Sequence, residues 1–176
     1  ITKRKYPPGQ FTWGRGKLSK YGIQFREKQK LKRFYGILDR QFQNYFKKAE
    51  RQKGNTGENL LAMLERRLDN VVYLLSFAPS RKSARQLILH GHILVNDKKV
   101  DIGSYLVKTG DIVRPKSKEI TQNIVKANIE LVKGRNIPAW IQSRADTLEG
   151  VVTQLPARED ISASAQEQLI VELCSK

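Results

Sequence analysis

The side chains in this sequence that could carry chemistry form a group of cations near the middle of the chain. Arg81 and Arg85 are four residues apart, so they share one face of a predicted helix that Ser80 can cap. Because the apolar residues of that helix must face a core, both arginines should point to solvent. The free backbone donors of the first turn and the planar guanidinium groups suit phosphate, so the pattern favours a nucleic-acid backbone as the ligand.

A predicted hairpin adds cations to the same group. The short helix is predicted over residues 81–90 and ends at Gly91, and residues 93–95 are predicted as a strand. Residues 96–99 then predict a turn, and residues 100–102 predict a return strand. The hairpin would bring its own cations beside the helix. The candidate RNA-binding residues of this group are Ser80, Arg81, Lys82, Arg85, His90, Lys98 and Lys99.

The formal net charge of +16 is concentrated in the first third of the chain. Lys and Arg number 33 against 17 Asp and Glu, and residues 1–54 hold 16 of the basic residues with only three acidic ones. Solubility needs a net charge of only about 2 to 8 in magnitude. The excess therefore predicts a polyanionic partner, for which nucleic acid is the commonest choice. The sequence contains no run of about 18 apolar residues, so a membrane-spanning helix is not predicted.

Two helices are predicted to position most of this charge. Residues 1–18 are rich in Pro, Gly and basic residues and predict an extended arm, whose Phe11 and Trp13 could stack on bases or pack on the protein itself. Ser19 can cap a helix that runs to Phe34, and a second helix with a wide apolar stripe follows. The candidate RNA-binding residues in this region are Arg15, Lys17, Arg26, Lys28, Lys30, Lys32, Arg33, Arg40, Lys47, Lys48, Arg51 and Lys53.

The remaining elements are predicted from apolar spacing and turn residues. A third helix, from residue 56 to about residue 75, has the strongest amphipathic pattern in the chain. On it, Arg67 is a further candidate RNA contact, Glu65 and Asp69 are expected to form surface ion pairs, and Asp69 with Asn70 should make structural hydrogen bonds. The elements predicted after the hairpin are a strand at 111–113, a basic helix at 120–133, irregular structure at 134–160 and a terminal strand at 169–173.

Catalytic and metal chemistry are not predicted. Cys174, placed in a core by its apolar neighbours, is the only cysteine, so neither an internal disulfide nor a thiolate metal cluster can form. His90 and His92 lack nearby acidic residues and make a poor metal site. His90 could contact RNA, or it could lie in the last helical turn simply because a cation is favoured there. We therefore expect no catalytic residue, no metal and no cofactor.

The segment SRKSARQLILHGHILVN, residues 80–96, resembles an RNA-binding motif named after bacterial small-subunit ribosomal protein four. The motif also occurs in some pseudouridine synthases and tyrosyl-tRNA synthetases, so by itself it identifies only a module. The resemblance extends from about residue 7 to residue 176, and the sequence is identified as a member of the ribosomal family. Four further segments carry this resemblance, in the same order along the chain: residues 21–30, 53–61, 67–73 and 169–176.

The resemblance implies an α+β fold in which a helical domain is interrupted by an inserted RNA-binding domain, a short helix pair packed on a small antiparallel sheet. Family members often carry an additional N-terminal segment, sometimes with a zinc-binding cysteine cluster, which this sequence does not include, so no zinc is expected. The implied division is an extended basic arm at 1–18, a helical rRNA-binding domain at 19–60 completed by about 160–176, and an inserted domain at 61–159 containing the motif at about 66–126.

The resemblance also implies a function as a structural constituent of the small ribosomal subunit, cytoplasmic and not enzymatic. The protein should bind 16S-type ribosomal RNA and nucleate assembly of its five-prime domain. It should contact the neighbouring small-subunit ribosomal protein five and line the mRNA entrance channel, where it would contribute to translational accuracy. No membrane partner is implied.

Two other functions could use the same motif. An RNA-modifying enzyme would need a further catalytic domain, for which residues 119–176 are too few. A stand-alone RNA-binding factor for stress or quality control would not need the predicted helices of residues 19–54. DNA binding is disfavoured, because the sequence has no recognition-helix pattern with a dimer element.

Overall fold

The structure, a computed structural model, describes residues 19–144 and 147–175. These residues contain seven α-helices, one 3-10 turn and five β-strands. The mixture of helices with one antiparallel sheet confirms the predicted α+β class. The helices are α1 (Lys20–Phe34), α2 (Asp39–Glu50), α3 (Thr56–Glu65), α4 (Leu68–Leu74), α5 (Arg81–Leu89), α6 (Glu119–Leu131) and α7 (Glu167–Cys174), and the 3-10 turn is Arg158–Asp160. The strands are β1 (Ile93–Val95), β2 (Lys98–Lys99), β3 (Ile112–Pro115), β4 (Ile141–Arg144) and β5 (Glu149–Val152).

Helices α1, α2 and α5 form where capping residues and apolar spacing predict them. The Ser19 hydroxyl accepts a hydrogen bond from the Gly22 amide at 3.1 Å and caps α1. Between α1 and α2, Gly36 has a φ of 63°, a left-handed conformation that glycine adopts without strain. The Ser80 hydroxyl caps α5 by accepting from the amide of Ser83 at 3.2 Å.

The long third helix predicted from residue 56 to residue 75 is wrong, because the chain breaks it into α3 and α4. At Arg67 the backbone is extended, and this residue forms an isolated antiparallel bridge with Leu106. The amide of Leu68 then donates to the carbonyl of Tyr105 at 2.8 Å. These pairings to a distant segment replace helical hydrogen bonds at the break. The apolar spacing continues through the break, so periodicity alone could not locate it.

The hairpin after α5 is tighter than predicted. Asn96 and Asp97 have φ values of 49° and 65°, so they form the two central residues of a type I′ turn. The return strand is therefore Lys98–Lys99 itself, paired with Leu94 and Val95, and the strand predicted at residues 100–102 is absent from the described structure. A two-residue turn of this kind matches the twist of the flanking strands and fixes their register.

The sheet has the strand order β2-β1-β3-β5-β4, and every neighbouring pair is antiparallel. The strand and the helix predicted at 111–113 and 120–133 correspond to β3 and α6. Strands β4 and β5 lie in the segment for which irregular structure was predicted. They were missed because each has only four residues and β4 exposes three of them, so neither produces a long alternating pattern.

The terminal segment predicted as a strand is helix α7. It packs against α1 and α3, where Ile170 is fully buried. Toward α1, the Glu172 carboxylate accepts a hydrogen bond from the side-chain amide of Gln24 at 2.6 Å and pairs with Lys20 at 3.2 Å. Cys174 is half-buried and packs against the apolar residues that α1, α2, α3 and α7 bury between them. A short apolar run does not distinguish a strand from a helix, and packing against α1 decides the outcome here.

The buried apolar residues form two clusters. The first core lies among α1, α2, α3 and α7 and draws on residues 31–64 and 161–170. The second core lies under α4, α5 and the sheet and draws on residues 68–152. Two separate clusters favour the two-domain division predicted from the sequence, whose exact bounds stay a prediction. Among the described helices, none has the length and apolar character needed to cross a membrane.

Candidate nucleic-acid interface

The basic residues of α1, α2 and the loop after α2 are mostly exposed. They project from helices whose opposite faces are anchored in the first core by residues such as Leu31 and Phe42. Exposed cations on a rigid helical support are accessible to the phosphates of a nucleic acid. We call this set the platform surface: Arg26, Lys30, Arg33, Arg40, Lys47, Lys48, Arg51 and Lys53.

Two of the predicted RNA-binding residues on α1 instead join α1 to α2. The ammonium group of Lys28 lies 3.1 Å from the Asp39 carboxylate, and that of Lys32 lies 3.5 Å from the same oxygen. Lys28 is buried and its ammonium group also lies 5.9 Å from the centre of the Phe42 ring. The hydrogen bond from Lys28, aided by Lys32, holds the pKa of Asp39 below its usual value of 3.8.

The short helix and hairpin of the second core present a smaller exposed basic group. Lys82 and His90 are exposed on α5 and at its end, and Lys98 and Lys99 are exposed on β2. The side chain of Lys99 lies over Gly91, so the hairpin brings this cation beside the end of the helix. We call Lys82, His90, Lys98 and Lys99 the motif surface, and Ser80, also exposed, lies at its edge as the helix cap.

The prediction that Arg81 points to solvent is wrong, because its side chain contacts other protein groups. The carbon of its guanidinium group lies 4.1 Å from the centre of the Phe34 ring and 4.3 Å from that of Tyr73. Its Nε also donates to the side-chain oxygen of Asn70 at 2.8 Å. Phe34 belongs to α1, whereas Tyr73 and Asn70 belong to α4. Arg81 therefore connects the two cores by cation–π contacts and a hydrogen bond.

Arg85 and Arg67 share one buried carboxylate. Nη2 of each arginine lies 2.6 Å from Oδ2 of Asp69, which is only 1% exposed. Arg85 also donates to the carbonyl of Gly36 at 3.0 Å, and Arg67 donates to the Tyr45 hydroxyl at 2.9 Å. Burial lowers the pKa of Arg67, but the hydrogen bond and charge of Asp69 outweigh burial and the net shift is upward. Arg67 is 2% exposed, so phosphate cannot reach it in this conformation.

Glu65 forms a buried polar contact between the same two regions. Its carboxylate accepts a hydrogen bond from the Tyr35 hydroxyl at 2.6 Å and another from the side-chain amide of Asn70. Burial raises the pKa of Glu65, and the two hydrogen bonds oppose that rise. The expected surface ion pairs of Glu65 and Asp69 are therefore wrong, because both side chains are buried. The structural hydrogen bonds expected for Asp69 and Asn70 are present.

We call Arg67, Arg81 and Arg85 the junction arginines, because their partners belong to both cores. A fourth cation, which was not predicted from the sequence, is held entirely by groups of the second core. Arg135 lies 4.0 Å from the centre of the Tyr73 ring and donates to the carbonyls of Tyr73 and Ala78. It lies in the segment predicted to be irregular, where no periodic pattern could have marked it. For the junction arginines the sequence did contain a signal of protein partners, because the acceptors Asp69 and Asn70 closely follow Arg67.

The other predicted site residues lie as follows. Arg15 and Lys17, with the rest of the predicted arm at 1–18, fall outside the described residues. His92 is half-buried and its Nδ1 lies 3.1 Å from the Thr121 hydroxyl, so it packs beside α6. Within residues 19–144 and 147–175, no group of three or more His, Cys, Asp or Glu side chains is arranged to hold a metal ion.

Two exposed basic surfaces, each supported by its own hydrophobic core, define this chain as a nucleic-acid-binding protein of the α+β class. A family model described as the ribosomal protein S4/S9 N-terminal domain matches residues 1–65, and one described as the S4 domain matches residues 66–113. The two matches meet at the break between α3 and α4.

Curated relatives match nearly the whole chain. Small ribosomal subunit protein uS4 of Thermodesulfovibrio yellowstonii is 53% identical over 174 residues, which cover 99% of this chain and 84% of the relative. The protein of the same name from Thermoanaerobacter sp. (strain X514) is 55% identical over 176 residues, covering 100% and 84%. That of Geotalea daltonii is 54% identical over 176 residues, covering 100% and 85%. The chain belongs to the uS4 family of small ribosomal subunit proteins.

Proposed function

We propose that this chain is a structural constituent of the small ribosomal subunit that binds 16S-type ribosomal RNA through the platform surface and the motif surface. As a member of the uS4 family it is a ribosomal protein and not an enzyme. Its place would be the ribosome of the cytoplasm.

One observation carries the RNA-binding part of this proposal. The two exposed basic surfaces lie on different cores, and the junction arginines join those cores through buried ion pairs and hydrogen bonds. Two cationic surfaces held in a defined relation suit an RNA junction, where helices meet at fixed angles and recognition depends on shape and backbone. A flexible basic tail would bind RNA electrostatically but would not select such a shape.

We further propose the finer role that the family resemblance implies. The protein would bind rRNA early and nucleate assembly of the five-prime domain. It would contact the neighbouring small-subunit ribosomal protein five, lie along the mRNA entrance channel and contribute to translational accuracy. The high identity to uS4 over the whole chain supports this extension. Footprinting on small-subunit rRNA during reconstitution, with and without ribosomal protein five, would test its order of binding and its neighbours.

The salt dependence of rRNA binding tests the electrostatic part. If six to ten phosphates are contacted, affinity should fall by about 10³- to 10⁵-fold between 50 and 200 mM salt. Replacing both Lys47 and Lys48 by Ala should lower the slope of log affinity against log salt by about one for each phosphate that the variant no longer binds. It should leave stability unchanged, since both side chains lie largely in solvent. A matched control replaces both Lys118 and Lys126 by Ala, which also removes two exposed cations but lies outside both surfaces.

Two results would contradict the proposal. A flat salt response of the unaltered protein would remove the electrostatic mechanism. Absence of the protein from salt-washed small subunits, with recovery in free fractions, would favour a stand-alone RNA-binding factor instead. Stoichiometric presence in those subunits is the result we expect, and sedimentation of cell extract followed by quantitative mass spectrometry measures it.

A further inference from the structure

An aromatic pair on α1 lies exposed beside the platform surface and is not used by either core. Tyr21 and Phe25 are four residues apart, and their rings stack with centres 5.9 Å apart and planes inclined by 17°. Their exposed fractions are 63% and 41%, although both residues belong to a helix that buries its opposite side. A pair at this spacing stabilises an isolated helix only slightly, so helix stability is a weak reason to expose two aromatic rings.

Beside Phe25 an open groove runs along the same helix. Its volume of about 790 Å³ is within the range of sites that hold small organic molecules. Most of its lining surface is apolar, and none of its lining residues is acidic. The groove runs between two rows of side chains spaced four residues apart: Phe25, Gln29 and Arg33 in one row, and Arg26, Lys30 and Phe34 in the other.

The cations of the groove are available to an anionic ligand. Arg26 and Arg33 are exposed, and Lys30 has only a loose pair with Glu27 at 3.7 Å, with half of the lysine side chain exposed. An exposed pair of this kind contributes little to stability and gives way easily to a phosphate. The Glu27 carboxylate itself accepts a hydrogen bond from the Gln166 amide at 3.1 Å, so it is directed toward the start of α7.

We propose that this groove binds unpaired RNA nucleotides, whose bases stack on Tyr21 and Phe25 while their phosphates pair with Arg26 and Lys30. The proposal rests on the proposed function and adds to it a readout of single-stranded RNA. Aromatic faces flanked by cations are the combination that single-stranded nucleic acid requires, because every base has a stacking face and every nucleotide a negative charge. An acidic or purely apolar protein partner would not match both features of the groove.

Substitution of the aromatic residues separates stacking from simple apolar contact. Phe25→Ala should weaken binding to the small-subunit rRNA fragment by roughly 5- to 150-fold, the range for loss of one stacked base. Phe25→Leu keeps an apolar side chain and a good helix former, and it should weaken binding nearly as much. Tyr21→Phe keeps the ring and should bind normally. Ile23→Ala is the matched control, because Ile23 is 44% exposed on the same helix but does not line the groove.

The salt slope provides a readout that a merely structural role would not produce. Loss of stacking should lower affinity at every salt concentration with an unchanged slope, whereas Arg26→Ala should reduce the slope by about one. Ultraviolet cross-linking of the unaltered complex, followed by mass spectrometry, should join the α1 peptide to a nucleotide that is unpaired in the rRNA fragment. Circular dichroism of each variant verifies that α1 is intact.

The outcomes distinguish this proposal from the proposed function. If the unaltered protein does not bind rRNA, both fail. If it binds but Phe25→Ala behaves like Ile23→Ala, or if Phe25→Leu restores full affinity, the stacking site is overturned and rRNA binding stands. A cross-link of Tyr21 or Phe25 to a peptide from residues 1–18 or to another protein, in place of RNA, would also overturn it.

Discussion

The cations of α2 and those of α5 differ in what surrounds them. On α2, Lys47 and Lys48 are exposed, and the cations of the platform surface lie mostly in solvent. On α5, Arg81 contacts three aromatic rings and Asn70, and Arg85 is paired with the buried Asp69. The cations of α2 are free to bind a polyanion, whereas the two arginines of α5 are already bound within the protein.

The difference follows from the acceptors that each region buries. Where the chain breaks between α3 and α4, it buries a carboxylate at Asp69 and an amide at Asn70. A buried carboxylate must be paired and hydrogen-bonded to remain charged, and arginine can provide two parallel hydrogen bonds. Helix α2 buries Phe42, Phe46 and Ala49 on its inner side, so its cations have no such acceptor to neutralise. A basic residue in an RNA-binding motif can therefore stabilise the fold by pairing with a buried acceptor.

Removing the shared carboxylate should have the largest effect. Asp69→Ala would leave Arg67 buried without its counter-charge, and breaking a buried pair in this way costs about 3–5 kcal/mol. Asp97→Asn is the control, because Asp97 pairs with Arg114 at 2.6 Å but has a side chain that is 75% exposed, and asparagine tolerates the left-handed backbone of this turn. The control should cost at most about 1 kcal/mol. Chemical denaturation of both variants measures the free energy of unfolding, and equal small losses would contradict the buried-pair assignment.

Arg81 and Lys82 provide a sharper contrast, because they are adjacent on α5. Arg81→Ala should lower the free energy of unfolding by about 2 kcal/mol, because it removes the cation–π interactions and a charged hydrogen bond to Asn70. Lys82→Ala should change it by less than about 0.5 kcal/mol, since Lys82 is exposed. Denaturation and rRNA-binding measurements on the same two variants test the difference. Equal stability together with weaker rRNA binding in both variants would instead add Arg81 to the residues that contact RNA.

This contrast revises an expectation drawn from the sequence. If both arginines pointed to solvent, replacing Arg81 and Arg85 by Ala would weaken rRNA binding without affecting the fold. Their contacts with Asn70, Asp69 and Gly36 instead predict that the double variant is less stable, so its rRNA affinity must be measured where it is still folded. Weaker rRNA binding by that variant would reflect the relation of the two cores as well as any direct interaction with RNA.

Local signals in the sequence were sufficient for part of the fold. Capping by Ser19 and Ser80, and the apolar spacing of α2 and α5, marked these helices correctly. The break at Arg67 and the helical form of α7 depend on pairing and packing with residues far away in the chain, which local spacing does not report. For the same reason, the sequence indicated which residues are cationic but not which of them meet a buried acceptor. The exposed aromatic pair of α1 required the structure, because its spacing equally suits a core.

The smallest expected effect concerns the ion pairs that join α1 to α2, in which Lys28 and Lys32 pair with Asp39. Because Lys28 and Lys32 hold the pKa of Asp39 below 3.8, the stability that this carboxylate contributes is present above the unfolded-state pKa and is lost as pH falls through the lower folded-state pKa. Between about pH 5 and pH 3, the unaltered protein should therefore lose more free energy of unfolding than Asp39→Asn does. The side chain of Asp39 is 53% exposed, so solvent and salt should reduce the difference further.

A second variant tests the same pair from its cationic side. Lys28→Met keeps the buried stem against Phe42 but removes the charge, so the pKa of Asp39 should move back toward its usual value, with only Lys32 left beside it. Titration of the Asp39 carboxyl carbon by NMR, in the unaltered protein and in this variant, measures the shift directly. An unchanged titration would assign the lowered pKa to something other than Lys28.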